Sequence, residues 1–185
     1  MLTEISLNVL DIAQNSIKAN ATLIEISIDV HTNKDCLTVT IRDNGCGMTE
    51  ENLKGVTDPF YTTRTTRKVG FGIPFFKQAC ECTGGKFSIS SKVGVGTTVT
   101  AQFVISSIDR MPLGNISETM HTLIIMNKEI DFLYKYSVDE REFTLDTRNI
   151  RKIMGDIPLD TPEVSAYIME FLEENKSEVD NGIYL

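Results

Sequence analysis

The sequence predicts an α/β fold: a two-layer α/β sandwich, in which a mixed sheet is backed on one face by helices that include the first. Three observations predict it. A helical apolar period fills the N-terminal segment LTEISLNVLDIAQNSIKANAT. Two stretches of strict alternation follow it, Leu23 to Val30 and Leu37 to Ile41. Alternation returns from Phe87 to Ile105, after a second helical stretch that begins near Gly70-Phe71-Gly72-Ile73.

In the first helix the period gathers Leu7, Leu10, Ile17 and Ala21 on one side, and Asn8, Asp11, Asn15 and Lys18 form a polar stripe at offsets of three and four. Ile24, Ile26, Ile28 and Val30 then share one strand face, with Glu25, Ser27 and Asp29 on the other. Thr32-Asn33-Lys34-Asp35 reads as the turn of an antiparallel hairpin, completed by Leu37, Val39 and Ile41. The hairpin ends in Asp43-Asn44-Gly45-Cys46-Gly47-Met48, and Thr49 caps a short helix from Glu50 to Lys54. From Gly55 to Val69 no period is visible, and a loop of that length in a compact domain is usually functional or mobile. Pro74 suits the first turn of the next helix, which runs towards Cys82 and ends at Gly84-Gly85. Strands at Phe87 to Ser91 and Thr97 to Ile105 flank the turn Gly94-Val95-Gly96.

The character changes past Met111-Pro112-Leu113-Gly114-Asn115. Thr122 to Met126 and Phe132 to Val138 are expected as strands, so that His121 precedes a strand. Glu142 to Leu145 is expected to pair back through Asp139-Glu140, with a short helix from Asn149 to Met154. Thr161-Pro162-Glu163 starts a capped helix through Glu174. The expected division is therefore residues 1–110 as the main domain and 111–185 as a small α+β C-terminal extension. Its acidic residues, Asp139, Glu140, Glu142, Glu173 and Glu174, read as a solvated face.

Composition bounds the partners. A chain of 185 residues, 41% hydrophobic and 24% charged, carries one core or one domain with an extension. A net charge of -8 argues against a nucleic-acid backbone as the main partner. No apolar run suits a membrane span, and the start lacks the basic-then-apolar order of a signal peptide. Cys36, Cys46, Cys80 and Cys82 form no zinc knuckle and read as scattered reduced thiols. A cytoplasmic protein is expected.

Four separated stretches between residues 5 and 106 resemble, in order, the motifs of the histidine-kinase-like ATPases of the GHKL superfamily. These proteins include the gyrase ATPase subunit, heat-shock chaperones, MutL mismatch-repair proteins and histidine kinases. Asp11-x-x-x-Asn15-Ser16-Ile17-Lys18 resembles the N-box. The resemblance implies that Asn15 is the Mg²⁺ ligand, Lys18 meets a phosphate, and Asp11 is the catalytic base. Many members carry a glutamate at that last position, and aspartate has the same chemistry with less reach. Asp43-x-Gly45-x-Gly47 resembles the G1 box, with Asp43 accepting from the adenine amine and Met48 beside the base; an Asn-Gly hairpin turn is the bland alternative. Asp58-Pro59-Phe60-Tyr61-Thr62-Thr63-Arg64 resembles the F-box at the base of the lid. There Phe60 packs under the lid and Thr63 or Arg64 reaches phosphate, while Arg67 and Lys68 read equally as contacts or as a solvated run. Gly70-Phe71-Gly72-Ile73 resembles the G2 box, whose amides open a helix N-terminus towards anions. Thr97, after Gly94-Val95-Gly96, is the remaining family contact.

A Bergerat-type ATP-binding fold with ATP and Mg²⁺ as cofactors is what this resemblance implies. Neither His31 nor His121 has the context of a phosphoacceptor on a dimerising helical hairpin. Two readings remain. In one, a regulatory enzyme hydrolyses ATP or transfers its γ-phosphate to a partner protein. In the other, ATP drives a conformational switch that governs a partner surface without turnover.

Overall fold

The computed structural model describes residues 3–57, 72–155, 157–183 and 185. Helix α1 (Ile5–Lys18) buries Ile5, Val9, Ile12, Ala13 and Ser16. The packed face is therefore not the one expected through Leu7, Leu10 and Ile17; Leu10 and Ile17 sit half-buried at its margin. Small side chains at Ala13 and Ser16 let the helix lie close to the sheet, and the bulkier leucines fill the flanks. Asn8 also leaves the expected polar stripe. It is 1% exposed, and its Nδ2 donates to the Glu4 carbonyl at 3.0 Å.

Strands β1 (Leu23–His31) and β2 (Cys36–Asp43) form the antiparallel hairpin. Helix α2 (Glu50–Gly55) is capped by Thr49, whose side chain accepts from the Asn52 amide at 3.3 Å. Helix α3 (Gly72–Glu81) carries buried Pro74 in its first turn, and the strands β3 (Lys86–Lys92) and β4 (Gly96–Val104) follow.

Then comes a helix, α4 (Ile116–Met126), in place of the strand expected at Thr122 to Met126. A short apolar run does not declare its period. What decides it lies upstream: Asn115 caps the Glu118 amide at 3.0 Å, and Ile116, Met120, Leu123 and Ile124 recur at helical spacing and are buried. His121 thus lies inside α4. Strands β5 (Asp131–Val138) and β6 (Arg141–Asp146) follow, then α5 (Thr147–Met154) and α6 (Pro162–Asp180). The last helix runs beyond Glu174 because Leu172 and Val179 continue its buried stripe. His121 Nε2 lies 2.9 Å from Ser165 Oγ of α6, a helix-to-helix contact. Thr161 holds the N-cap position of α6, but its hydroxyl donates to the Pro158 carbonyl at 3.1 Å instead of capping the helix.

The six strands form one sheet in the order β3-β4-β2-β1-β5-β6. β1 and β5 are parallel and every other pair is antiparallel, so the sheet is mixed. Its inward positions (Ile24, Ile26, Ile28, Leu37, Val39, Val99, Phe103, Tyr134 and Tyr136 among them) are buried beneath the helices. Glu25, Ser27, Thr38, Thr40, Thr98 and Lys135 occupy the opposite, half-exposed face. That is a two-layer α/β sandwich. The segment beyond residue 110 continues both layers, with β5 beside β1 and α4 packed against α1 and α6. It also closes the start of α1, where the Ile5 and Ser6 amides donate to the carbonyls of Pro112 (3.0 Å) and Leu113 (2.9 Å).

Candidate functional site

β2 is an interior strand, and its last residue, Asp43, points to the helical side with 8% exposure. A buried carboxylate needs donors. Asp43 Oδ2 accepts from Ser16 Oγ of α1 at 2.7 Å, and Oδ1 accepts from the amides of Gly45 (2.9 Å) and Thr97 (3.3 Å). It makes no ion pair among the described residues.

The loop after Asp43 is held from two sides. Asn44 Oδ1 accepts from the amides of Thr22 (2.8 Å) and Leu23 (3.0 Å), and the Cys46 amide donates to the Ala19 carbonyl at 2.9 Å, beside the end of α1. Opposite, the Gly94 amide donates to the Cys46 carbonyl at 2.9 Å, and the Met48 amide to Ser91 Oγ at 2.9 Å. Gly47 makes this closure possible: its φ is +67°, and a Cβ there would collide with the Lys92 carbonyl.

α1 supplies the neighbouring stripe. Asp11 is half-buried, whereas Asn15 and Lys18 are exposed. Among the described residues the Asn15 side chain makes no hydrogen bond and Lys18 no ion pair. The first turn of α3 passes over Asp11 so closely that a Cβ on Gly72 would fall on its carboxylate. Consecutive residues of one helix therefore serve two ends of the site, with Asn15 turned outward to the stripe and Ser16 inward to Asp43.

The structure brings together Asp43, Gly45, Gly47, Met48 and Thr97 at one end, and Asp11, Asn15, Lys18 and Gly72 along α1 and the start of α3. Ile73 is half-buried against the core. Phe60, Thr63, Arg64, Gly70 and Phe71 lie outside the described residues, as do Arg67 and Lys68. Two hydroxyls that the sequence reading assigned no role now stand out. Ser16 lies on the buried face of α1, where a hydroxyl following Val9, Ile12 and Ala13 is the signal that could have marked it. Ser91 occupies an inward position of β3, two residues past Ile89 in the alternation.

The molecule is thus a two-layer α/β sandwich with a buried, hydrogen-bonded carboxylate at the end of an interior strand and a polar helical stripe beside it, as the resemblance to the Bergerat-type fold implies. The chain belongs to the histidine kinase-, DNA gyrase B- and HSP90-like ATPase family, whose sequence model matches residues 2–106. It is 34% identical over 85 residues to a putative sensor protein of Shewanella frigidimarina, covering 45% of this chain and 13% of that protein. It is 35% identical over 94 residues to the sensor histidine kinase YkoH of Bacillus subtilis, covering 48% of this chain and 20% of YkoH. The chain thus spans a fifth or less of the length of these two relatives. Among solved structures, the Aquifex aeolicus MutL ATPase domain complexed with ADP superposes with a TM-score of 0.54 at 14% identity, covering 100% of both chains. The N-terminal domain of a DNA repair protein gives 0.57 at 18% identity, covering 84% of this chain and 58% of that one. At such identities the likeness is one of fold. No helix among the described residues is long and apolar enough to cross a membrane.

Proposed function

We propose that this chain binds ATP with Mg²⁺ and passes its γ-phosphate to water or to a partner protein in a regulatory role. The observation that carries the reading is Asp43: a carboxylate 8% exposed, held by neutral donors, with no cation paired to it among the described residues. Such a group is preset to accept from an uncharged amine, and the exocyclic amine of adenine is one. The triphosphate would then run along α1 towards Asn15, Lys18 and the start of α3, where unpaired amides of a helix favour anions. Phe60, Thr63, Arg64, Gly70 and Phe71 would complete the enclosure, with Met48, Ile73 and Thr97 lining it.

Asn15 fits the metal. Its side chain is exposed and, among the described residues, makes no hydrogen bond, and no group of three His, Cys, Asp or Glu among them could hold an ion unaided. A single protein oxygen supplemented by phosphates and water suits a cation that dehydrates reluctantly. When bound, Mg²⁺ neutralises phosphate charge. Asp11 orients the attacking hydroxyl or water and accepts its proton on a carboxylate oxygen. Residues 1–110 form the nucleotide-binding unit in this reading, and residues 111–185 an extension that covers the β1 edge of its sheet or docks a partner. The cytoplasm is the expected compartment.

The test is labelled Mg-ATP incubated with the wild type and Asp11→Asn, with and without cell extract, following ADP release and labelled protein. Asp11→Asn should abolish both while leaving ATP affinity within about twofold, because the carboxylate acts in the transition state and not in ground-state binding. A wild type that binds ATP but neither releases ADP nor labels a partner would instead leave the switch reading, in which nucleotide binding alone alters a partner surface.

A further inference from the structure

We propose that Ser91 is a positioning residue that sets purine specificity: it takes up the proton of the Thr97 hydroxyl, so that the pocket accepts an amine at purine position six and rejects a carbonyl there. The inference rests on the adenine-nucleotide reading above and concerns a residue that does not itself touch the base.

It follows from counting protons. A serine hydroxyl has one proton to give and two lone pairs to offer. Ser91 Oγ lies 2.9 Å from the Gly96 carbonyl, which can only accept, so its proton goes there. The Met48 amide, at 2.9 Å, fills one lone pair. Thr97 Oγ1 also lies 2.9 Å from Ser91 Oγ. With the Ser91 proton committed, that contact is a hydrogen bond only if Thr97 donates, and Ser91 is then fully satisfied. Thr97 Oγ1 is left with lone pairs alone.

The register places this oxygen where it matters. Thr97 pairs with Asp43 across β2 and β4, and with Ser91 across β3 and β4, so all three side chains share the helical face. The other donors around Asp43 are spent inward too: Ser16 Oγ on Oδ2 at 2.7 Å, and the amides of Gly45 and Thr97 on Oδ1. What the Asp43 carboxylate and the Thr97 hydroxyl offer a ligand is therefore acceptors. An amine can satisfy them, while a carbonyl would set lone pair against lone pair in a desolvated site. A site built in this way discriminates strongly, because the wrong ligand leaves buried polar groups unpaired.

The experiment is calorimetric titration of the full chain with ATP and with inosine triphosphate, which keeps the ribose and phosphates but carries a carbonyl at position six and a proton on N1. A control ligand, 6-chloropurine riboside triphosphate, loses the amine while N1 stays unprotonated, and the wild type should also bind it more weakly than ATP. The wild type should prefer ATP. In Ser91→Ala the Thr97 proton is released and can meet a carbonyl, so the ratio of the two affinities should fall by about tenfold, the worth of one hydrogen bond. Ser91→Thr, which restores a hydroxyl, should recover the preference. Ser91→Cys, close in size with a weak donor and acceptor, stands in if the alanine variant does not fold. A variant that loses affinity for both nucleotides equally, or a wild type that binds both alike, overturns the proposal. A wild type that binds neither removes the adenine reading itself and the proposal with it.

Discussion

Ser16→Ala tests how Asp43, the proposed base reader, is held. Ser16 is 3% exposed and gives Asp43 Oδ2 its side-chain hydrogen bond from α1. A bond to a charged acceptor contributes about 1.5–3 kcal/mol net. Because the amides of Gly45 and Thr97 still hold Oδ1, the carboxylate is not orphaned and the lower figure applies. About 1.5 kcal/mol corresponds to a roughly tenfold weaker ATP affinity. Calorimetry should show that loss for ATP and none for inorganic triphosphate, which has no base to read. The same change made in an Asp43→Asn background should cost less than in the wild type, since the two residues act through one contact. ATP affinity unchanged within twofold, or a parallel loss for triphosphate, would refute the reasoning, since Ser16 would then act on α1 and not on the base.

Two further outcomes follow from the same structure. Cys46 and Cys82 are exposed, whereas Cys80 is buried in α3 and its thiol is pushed up to about 11 by burial and by the neighbouring Glu81. Alkylation near pH 8 read by mass spectrometry should therefore modify Cys46 and Cys82 first and Cys80 only on unfolding, with ATP slowing Cys46; equal Cys46 rates with and without ATP would contradict a nucleotide seated at that loop. Tyr136 donates to Asp180 Oδ1 at 2.5 Å, with Lys176 bonded to Oδ2 and lying over the ring, and burial raises the phenol above its ordinary value. Tyr136→Phe should lower stability by about 1–2 kcal/mol, a melting shift of roughly 2–8 °C in a chain of this size, and an unchanged melting temperature would count against the bond.

Much of the first hundred residues is legible in the chain because each element there announces itself locally. Strict alternation with β-branched residues marks β1 and β2, Gly84-Gly85 stops α3, and Thr49 signals α2. The failures have a common cause. Thr122 to Met126 looks like a strand when taken alone, and only Asn115 and the buried residues one and two turns earlier turn it into a helix. In α1 the period declares a helix correctly, but leucines and isoleucines ring so much of it that the packed face is chosen by the small residues Ala13 and Ser16. Asn8 goes the same way: chemistry puts it in a polar stripe, and packing puts it inside. The site divides along the same line. Asp43, Gly45 and Gly47 are visible because the tight turn demands glycine and the proposed base reading demands a carboxylate. Ser16 and Ser91 are ordinary serines until the fold sets one against a carboxylate and the other against three partners.

That Asp43 is fixed before any ligand arrives is the deeper consequence of the topology. Its strand has neighbours on both sides, and its carboxylate is tied separately to α1 through Ser16, to its own loop through Gly45 and to β4 through Thr97. The following loop is tied in turn to β3 through Met48 and Ser91. The extension reaches the same corner, for the Asp131 amide at the start of β5 donates to the Thr22 carbonyl at 2.9 Å, and the Thr22 amide donates to Asn44, the residue after Asp43. Acceptors held this firmly lose little freedom when a base docks, so more of each hydrogen bond appears as affinity and selectivity. On the proposed reading, one neutral serine and two amides suit this carboxylate better than a cation would, because a paired lysine or arginine would occupy the lone pairs offered to the adenine amine.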